Sequence, residues 1–61
     1  MSALQPIRVL IADDHSMVRR GLATILKLEP DLQLVGEAGS GREAVEVCGR
    51  VQPDVVLMDL I

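Results

Sequence analysis

Apolar and polar positions along the chain predict three strands that alternate with two helices. The apolar runs lie at residues 7–12, 32–35 and 55–58 and predict strands, the first of them rich in β-branched residues. Residues 16–28 place apolar side chains at the i, i+4, i+7 and i+8 spacing of an amphipathic helix. That apolar face consists of Val18, Leu22, Ile25 and Leu26. Pro30 is expected to end the helix, because the residue before a proline disfavours helical geometry.

A capping box marks the start of the second predicted helix. The side chain of Ser40 can accept a hydrogen bond from the amide of Glu43, whose carboxylate can reach back towards the helix start. The apolar face behind it consists of Ala44, Cys48 and Val51. Gly49 and Pro53 are expected to mark the end of this helix.

The alternation βαβαβ predicts an α/β fold with a parallel sheet and right-handed crossovers. The first and third apolar runs are nearly continuous, as in strands buried on both faces, whereas the second alternates and is typical of an edge strand. The predicted spatial order is therefore 2-1-3, with one helix on each face. This is half of a doubly wound sheet, in which the third strand lacks a neighbour on its far side.

Composition and charge exclude several classes of protein. The 61 residues are 49% hydrophobic and 25% charged, which argues against a disordered chain and against a membrane protein. A net charge of −3 provides no basic surface for binding nucleic acid. One cysteine, Cys48, allows no internal disulfide and suits a reducing cytoplasm. We expect it to be a small core residue rather than a reactive thiol.

The candidate chemistry lies where the first and third predicted strands end. Asp13, Asp14 and His15 follow the first strand and Asp59 follows the third, and ligands of open parallel sheets bind at this edge. Three carboxylates so close together repel one another unless a cation lies among them, and oxygen ligands suit Mg²⁺. The alternative is that Asp13 and Asp14 only cap the next helix, which leaves Asp59 unexplained.

Four segments of the chain resemble the receiver domain of bacterial response regulators of the NarL/FixJ type. They are VLIADDH at residues 9–15, VRRGL at 18–22, VGEA at 35–38 and PDVVLMDL at 53–60. The resemblance extends from Ile7 onward and covers the first half of such a domain. It implies a flavodoxin-like (CheY-like) fold, with residues 1–61 forming a truncated receiver domain without its output domain.

The resemblance also implies a role for each matching residue. Asp59 would be the phospho-acceptor and would receive a phosphoryl group from a sensor histidine kinase. Asp14 would bind Mg²⁺ directly, Asp13 would bind it largely through water, and the backbone carbonyl of Ile61 would complete the protein ligands. The family's hydroxyl and lysine residues, which follow its fourth and fifth strands, have no counterpart in this chain. Ser16 stands where proline is common and could cap the first helix instead.

For the whole protein, the resemblance implies a cytoplasmic phosphoprotein of a two-component system that is not an enzyme. It would regulate transcription by binding DNA through a LuxR-type output domain, which this chain lacks, and it would not associate with membranes. Residues near the site receive simpler interpretations. We expect His15 to be solvated, since no neighbour is expected to orient its ring. Arg19 and Arg20 are expected to form a solvated helix face.

Two other functions remain open from the residues alone. Gly39, Gly41 and Ala44 fit the dinucleotide-binding pattern G-x-G-x-x-A, and Asp59 follows about 20 residues later, where the ribose-binding acid is expected. Against this, Glu37 puts a charge in the preceding strand, which is an apparent edge. The chain could also be a half-domain interaction module without phosphotransfer. Whatever the function of the chain, its unpaired third strand predicts self-association into a homo-oligomer.

Overall fold

A computed structural model describes residues 5–59 and contains the five predicted elements in the predicted order. These are β1 (Ile7–Asp13), α1 (Ser16–Lys27), β2 (Leu32–Ala38), α2 (Gly41–Val51) and β3 (Val55–Asp59). The strands form one parallel sheet in the order β2-β1-β3, which confirms the predicted topology. Neither α1 nor α2, the helices of the described residues, is long and apolar enough to cross a membrane.

The core lies on both faces of the central strand β1, which is fully buried from Val9 to Asp13. One cluster joins β1 to α1 and consists of Val9, Ile11, Ala23 and Leu26. The other joins the sheet to α2 and consists of Ala12, Ala38 and Ala44, with Val56 packed against it. The small side chains of the second cluster let α2 lie close to the sheet. One helix therefore covers each face, as predicted.

Helix α1 is rotated relative to the apolar face predicted for it. Leu26 is buried and Leu22 is half-buried, but Val18 and Ile25 are exposed, and Ala23 is buried instead. The helix therefore contacts the sheet through Leu22, Ala23 and Leu26. The apolar side chains of Val18 and Ile25 are exposed to solvent. Its N-cap is His15 without a side-chain hydrogen bond, so the expected capping role of Ser16 is wrong. The helix ends at Lys27, ahead of Pro30 as expected.

Helix α2 begins with the predicted capping interactions. The hydroxyl of Ser40 accepts a hydrogen bond from the amide of Glu43 (3.1 Å), and Oε1 of Glu43 accepts one from the amide of Gly39 (2.6 Å). Ala44 is buried and Cys48 half-buried, as expected for an inward face. The helix ends at Val51, just before Pro53 as expected, but Gly49 lies inside it, and Gln52, with φ of 49°, forms a left-handed C-cap.

Strand β2 has a register shift beside Gly36, a residue that lies close to α2. Val9 pairs with Leu34 and Leu10 pairs with Gly36, so one residue of β2 is extra. A Cβ atom at Gly36 would lie 2.8 Å from Cγ1 of Val47 on α2, so a larger residue would force these elements apart. The glycine therefore permits the close contact between β2 and α2.

Strand β3 is more exposed than its sequence predicts. Val55, Leu57 and Met58 are all exposed, Met58 at 60%, although the uninterrupted apolar run predicted burial on both faces. Among the described residues, β3 pairs only with β1. Two hydrogen bonds hold the residue before β3 to β1. The backbone amide of Asp54 donates to the carbonyl of Arg8, and the amide of Arg8 donates to the side-chain Oδ2 of Asp54.

Candidate functional site

The parallel sheet brings the predicted acidic residues to one edge. Asp13 and Asp59 are the last residues of β1 and β3 and are paired in register, and Asp14 follows Asp13 directly. Asp13 is fully buried, whereas Asp14 and Asp59 are exposed. Neighbouring strands lie roughly 4.8 Å apart. The carboxylates of Asp13 and Asp59 therefore extend from backbone positions separated by about this strand spacing.

The carboxylate of Asp13 is only half satisfied. Its Oδ1 accepts a hydrogen bond from the amide of His15 (2.8 Å), but its Oδ2 is buried and has no hydrogen-bond partner among the described residues. A buried carboxylate oxygen without a partner costs considerable free energy unless a cation, a proton or water compensates it. This oxygen, with the nearby carboxylate of Asp14, makes a donor set that fits a hard divalent cation such as Mg²⁺.

His15 is exposed, as expected, but its ring contacts the acidic residues, and sequence reasoning missed this contact. Its Nδ1 is 3.0 Å from Oδ1 of Asp14 and 3.4 Å from Oδ1 of Asp13, so the expectation of a ring without an orienting neighbour is wrong. One ligand atom from each of these three residues lies within 4.8 Å of the others, and Asp59 is not part of this set. The cause is the tight turn between β1 and α1, which folds consecutive side chains onto the same strand end.

Arg19 is the second residue of the site that sequence reasoning missed. Its Nη1 donates a hydrogen bond to the backbone carbonyl of Asp13 (2.6 Å), and its Nε lies 3.4 Å from Oε1 of Glu37 on β2. The side chain is 23% exposed, so the expected solvated position is wrong for Arg19, although Arg20 is exposed as predicted. The sequence showed no basic residue adjacent to the acidic group, but the first turn of α1 supplies one.

The structure argues against the dinucleotide-binding interpretation. The glycine loop follows the edge strand β2, and β1 separates it from Asp59 at the end of β3. The amide of Gly39, which would have to face a phosphate, already donates to the carboxylate of Glu43. A carboxylate at that position repels an anion, so Gly39, Gly41 and Ala44 serve as the start of α2.

Not every predicted ligand can be located. The carbonyl of Ile61, implied as a metal ligand by the resemblance, lies outside the described residues. Asp13, Asp14 and Asp59 are all described, and they occupy one open edge of the sheet. Asp13 and Asp14 thus place a buried and an exposed carboxylate beside the accessible carboxylate of Asp59.

Comparison with known proteins shows the class to which this site belongs. Residues 9–61 match the family model of the response regulator receiver domain. Because the match covers most of the chain, the chain belongs to the response regulator receiver domain family. The acidic strand ends described above occur within the matched residues.

Individual relatives agree with this assignment. The chain is 53% identical over 55 residues to the transcriptional regulatory protein LiaR of Bacillus subtilis, covering 90% of this chain and 26% of that protein. It is 46% identical over 56 residues to the response regulator protein VraR of Staphylococcus saprophyticus, covering 92% and 27% respectively. The chain thus spans about a quarter of the length of these curated relatives.

Solved structures show the same fold. The signal receiver domain of the response regulator NarL from Mycobacterium tuberculosis superposes with a TM-score of 0.86 at 38% identity, covering 90% of this chain and 44% of that one. A chain in the crystal structure of the P1 domain of CheA3 in complex with CheY6 from R. sphaeroides gives a TM-score of 0.77 at 38% identity. That match covers 92% of this chain and 43% of the other, so the CheY-like fold is shown for the described half-sheet.

Proposed function

We propose that this chain is the phospho-accepting part of a two-component response regulator, in which Asp59 receives a phosphoryl group from a sensor histidine kinase. The proposal is carried by one observation: the exposed carboxylate of Asp59 lies in register with the buried Asp13, whose Oδ2 has no partner in the described part of the chain. An accessible nucleophile thus lies beside a group that requires a cation. The chain accepts a phosphoryl group rather than catalysing the turnover of a substrate.

The reaction that we propose transfers one phosphoryl group between side chains. A carboxylate oxygen of Asp59 attacks phosphorus, a new O–P bond forms, and the P–N bond to the kinase histidine breaks. The electron pair of that bond stays on the imidazole nitrogen, which takes a proton. Bound Mg²⁺ supplies charge compensation for the carboxylates and the phosphoryl oxygens. The exposed position of Asp59 at the end of β3 leaves its carboxylate accessible to a partner protein.

The two residues after β1 are suited to different ligand roles. Asp14 is exposed and its carboxylate can bind Mg²⁺ directly, although its Oδ1 is now 3.0 Å from Nδ1 of His15. Asp13 is fully buried, its Oδ1 is held by the amide of His15, and its Oδ2 has no hydrogen-bond partner among the described residues. We assign it contact with the metal largely through water, as the family resemblance implies. We assign the third protein ligand to the backbone carbonyl of Ile61, as the family resemblance implies.

The whole protein to which this chain corresponds is proposed to be a cytoplasmic, DNA-binding transcription regulator. LiaR is named as a transcriptional regulatory protein, and the chain matches about a quarter of its length, so residues 1–61 form part of the receiver domain only. DNA binding would require an output domain that these residues do not contain. The match to a chain in the solved complex of CheY6 with the P1 domain of CheA3 supports a sensor histidine kinase as the partner.

Phosphorylation with a small donor tests the assignment of Asp59. In a receiver of full family length carrying residues 1–61, acetyl phosphate and Mg²⁺ should produce an alkali-labile acyl phosphate, detected as the added mass of one phosphoryl group. Asp59→Asn should abolish it. Asp31→Asn is the matched control, because Asp31 is an exposed carboxylate that precedes β2 at the other end of the sheet.

The same experiment separates the proposal from its rivals. Undiminished labelling of Asp59→Asn would refute Asp59 as the acceptor. No labelling of the unchanged protein would favour the interaction module without phosphotransfer. Saturable binding of a nicotinamide dinucleotide that Glu43→Gln strengthens would restore the dinucleotide-binding function.

A further inference from the structure

We propose that Arg19 is a positioning residue that holds the peptide between Asp13 and Asp14 and thereby orients both acidic side chains toward the cation. This inference rests on the proposed function, because it assigns Arg19 a role in the same metal site. Arg19 itself would not touch the metal or the phosphoryl group.

The contact of Arg19 is with the backbone rather than with a carboxylate. Its Nη1 donates to the carbonyl oxygen of Asp13 at 2.6 Å, and that carbonyl belongs to the peptide unit joining Asp13 to Asp14. The two acidic side chains project from opposite ends of this planar unit. Fixing its orientation therefore fixes the positions from which both side chains extend and restricts the directions open to their carboxylates.

Arg19 is itself held in place from a different strand. Its Nε lies 3.4 Å from Oε1 of Glu37, and Glu37 pairs in register with Ile11, two residues before Asp13. The guanidinium thus joins the ends of β1 and β2 across the first turn of α1. The planar guanidinium has several N–H donors and can contact the carbonyl of Asp13 and the carboxylate of Glu37 at once. The ammonium group of a lysine, on a flexible side chain, does not reproduce this geometry.

Gly39 leaves the space that the guanidinium occupies. A Cβ atom there would lie 3.1 Å from Nη1 of Arg19, tighter than an ordinary van der Waals contact. No glycine of the described residues has a positive φ, so alanine at this position causes no backbone strain. Gly39→Ala therefore displaces the guanidinium while every charge of the site is kept.

If Arg19 acts by positioning the ligands, replacing it should lower the cation affinity. If it acts only through its charge, replacing it should raise the affinity. Removing a positive charge near a cation site should strengthen binding slightly, because repulsion falls. Removing a group that orients metal ligands typically weakens binding about 10- to 100-fold. If a variant that replaces Arg19 with an uncharged residue binds the cation more weakly, Arg19 therefore acts by positioning the metal ligands.

Mn²⁺ titration of a receiver of full family length carrying residues 1–61, followed by electron paramagnetic resonance and by Mg²⁺ competition, measures the direction of this change. We expect Arg19→Gln and Arg19→Lys to weaken Mn²⁺ binding by about tenfold or more, and Gly39→Ala by a smaller factor. Arg20→Gln is the matched control, since it removes the same charge from the adjacent exposed position. It should leave the affinity unchanged or slightly increased.

A measurement without metal distinguishes this inference from the proposed function. The ¹⁵N and ¹³C′ resonances of the Asp13–Asp14 peptide should shift in both Arg19 variants and not in Arg20→Gln, with thermal melts showing that each variant is folded. Unshifted resonances, or Mn²⁺ binding that Arg19→Gln strengthens, would overturn the role of Arg19. If the resonances shift but the protein binds no Mn²⁺, the metal site is refuted, and the positioning role with it. Arg19 would then make only a structural contact with the carbonyl of Asp13.

Discussion

Asp13 and Asp59 lie opposite each other in the register of two parallel strands, yet Asp13 is fully buried and Asp59 is exposed. The difference follows from the position of their strands, because β1 is central and β3 has only one neighbour among the described residues. Two chemically identical side chains at the same edge are therefore suited to different tasks. The buried one is suited to a fixed role in the proposed cation site, and the exposed one to the proposed reaction with a partner.

The ligands following β1 should differ in their contribution to cation binding. We expect Asp14→Ala to weaken Mg²⁺ binding by about tenfold or more, because it removes the exposed carboxylate at the site. His15→Ala should have a smaller effect, since it removes only an uncharged or cationic neighbour of that carboxylate. Isothermal titration measures both, and a larger loss for His15→Ala would instead make the imidazole a ligand.

The close contact between β2 and α2 predicts opposite effects for two glycine substitutions. Gly36→Ala should destabilise the chain by about 1–3 kcal/mol, because the new Cβ would lie 2.8 Å from Cγ1 of Val47. Gly49→Ala is the control: it lies inside α2 with open space around it, and should stabilise by about 0.5–1 kcal/mol. Urea unfolding of the two variants measures the free energies, and equal effects would contradict the close packing.

The 61-residue chain should be a slow phospho-acceptor even when it is folded. The described sheet has three strands, whereas the hydroxyl and lysine residues of the family follow its fourth and fifth. Charged and polar groups of this kind usually supply the largest part of the rate enhancement. Labelling with acetyl phosphate should therefore be much slower than in a receiver of full family length. Equal rates would mean that the groups on β1 and β3 suffice.

In isolation the 61-residue chain should self-associate. The apolar side chains of Val55, Leu57 and Met58 are exposed on β3, whose second edge has no partner in residues 5–59. An exposed, apolar edge strand is a template for pairing with another chain. Sedimentation at several concentrations should show a mass that rises with concentration. Leu57→Lys should shift this equilibrium toward the monomer, and a dilute, cooperatively melting monomer of the unchanged chain would contradict the prediction.

The sequence by itself determined the order of the elements, the parallel sheet and the meeting of acidic residues at its edge. These features follow from hydrophobic periodicity and from local signals such as the capping box at Ser40, which depend on residues close together in the chain. The order 2-1-3 followed as well, because the alternating pattern of residues 32–35 distinguished an edge strand from the central one.

Only the tertiary structure decided which side chains complete the site. Arg19 becomes part of it through Glu37, a residue on another strand, and His15 through the turn that places its ring against Asp14. The apolar pattern could not show that α1 turns Ile25 outward or that β3 remains exposed. The sequence pattern shows which residues are apolar. Their burial and their side-chain contacts depend on which distant elements pack beside them, and this packing is determined only when the sheet and helices assemble.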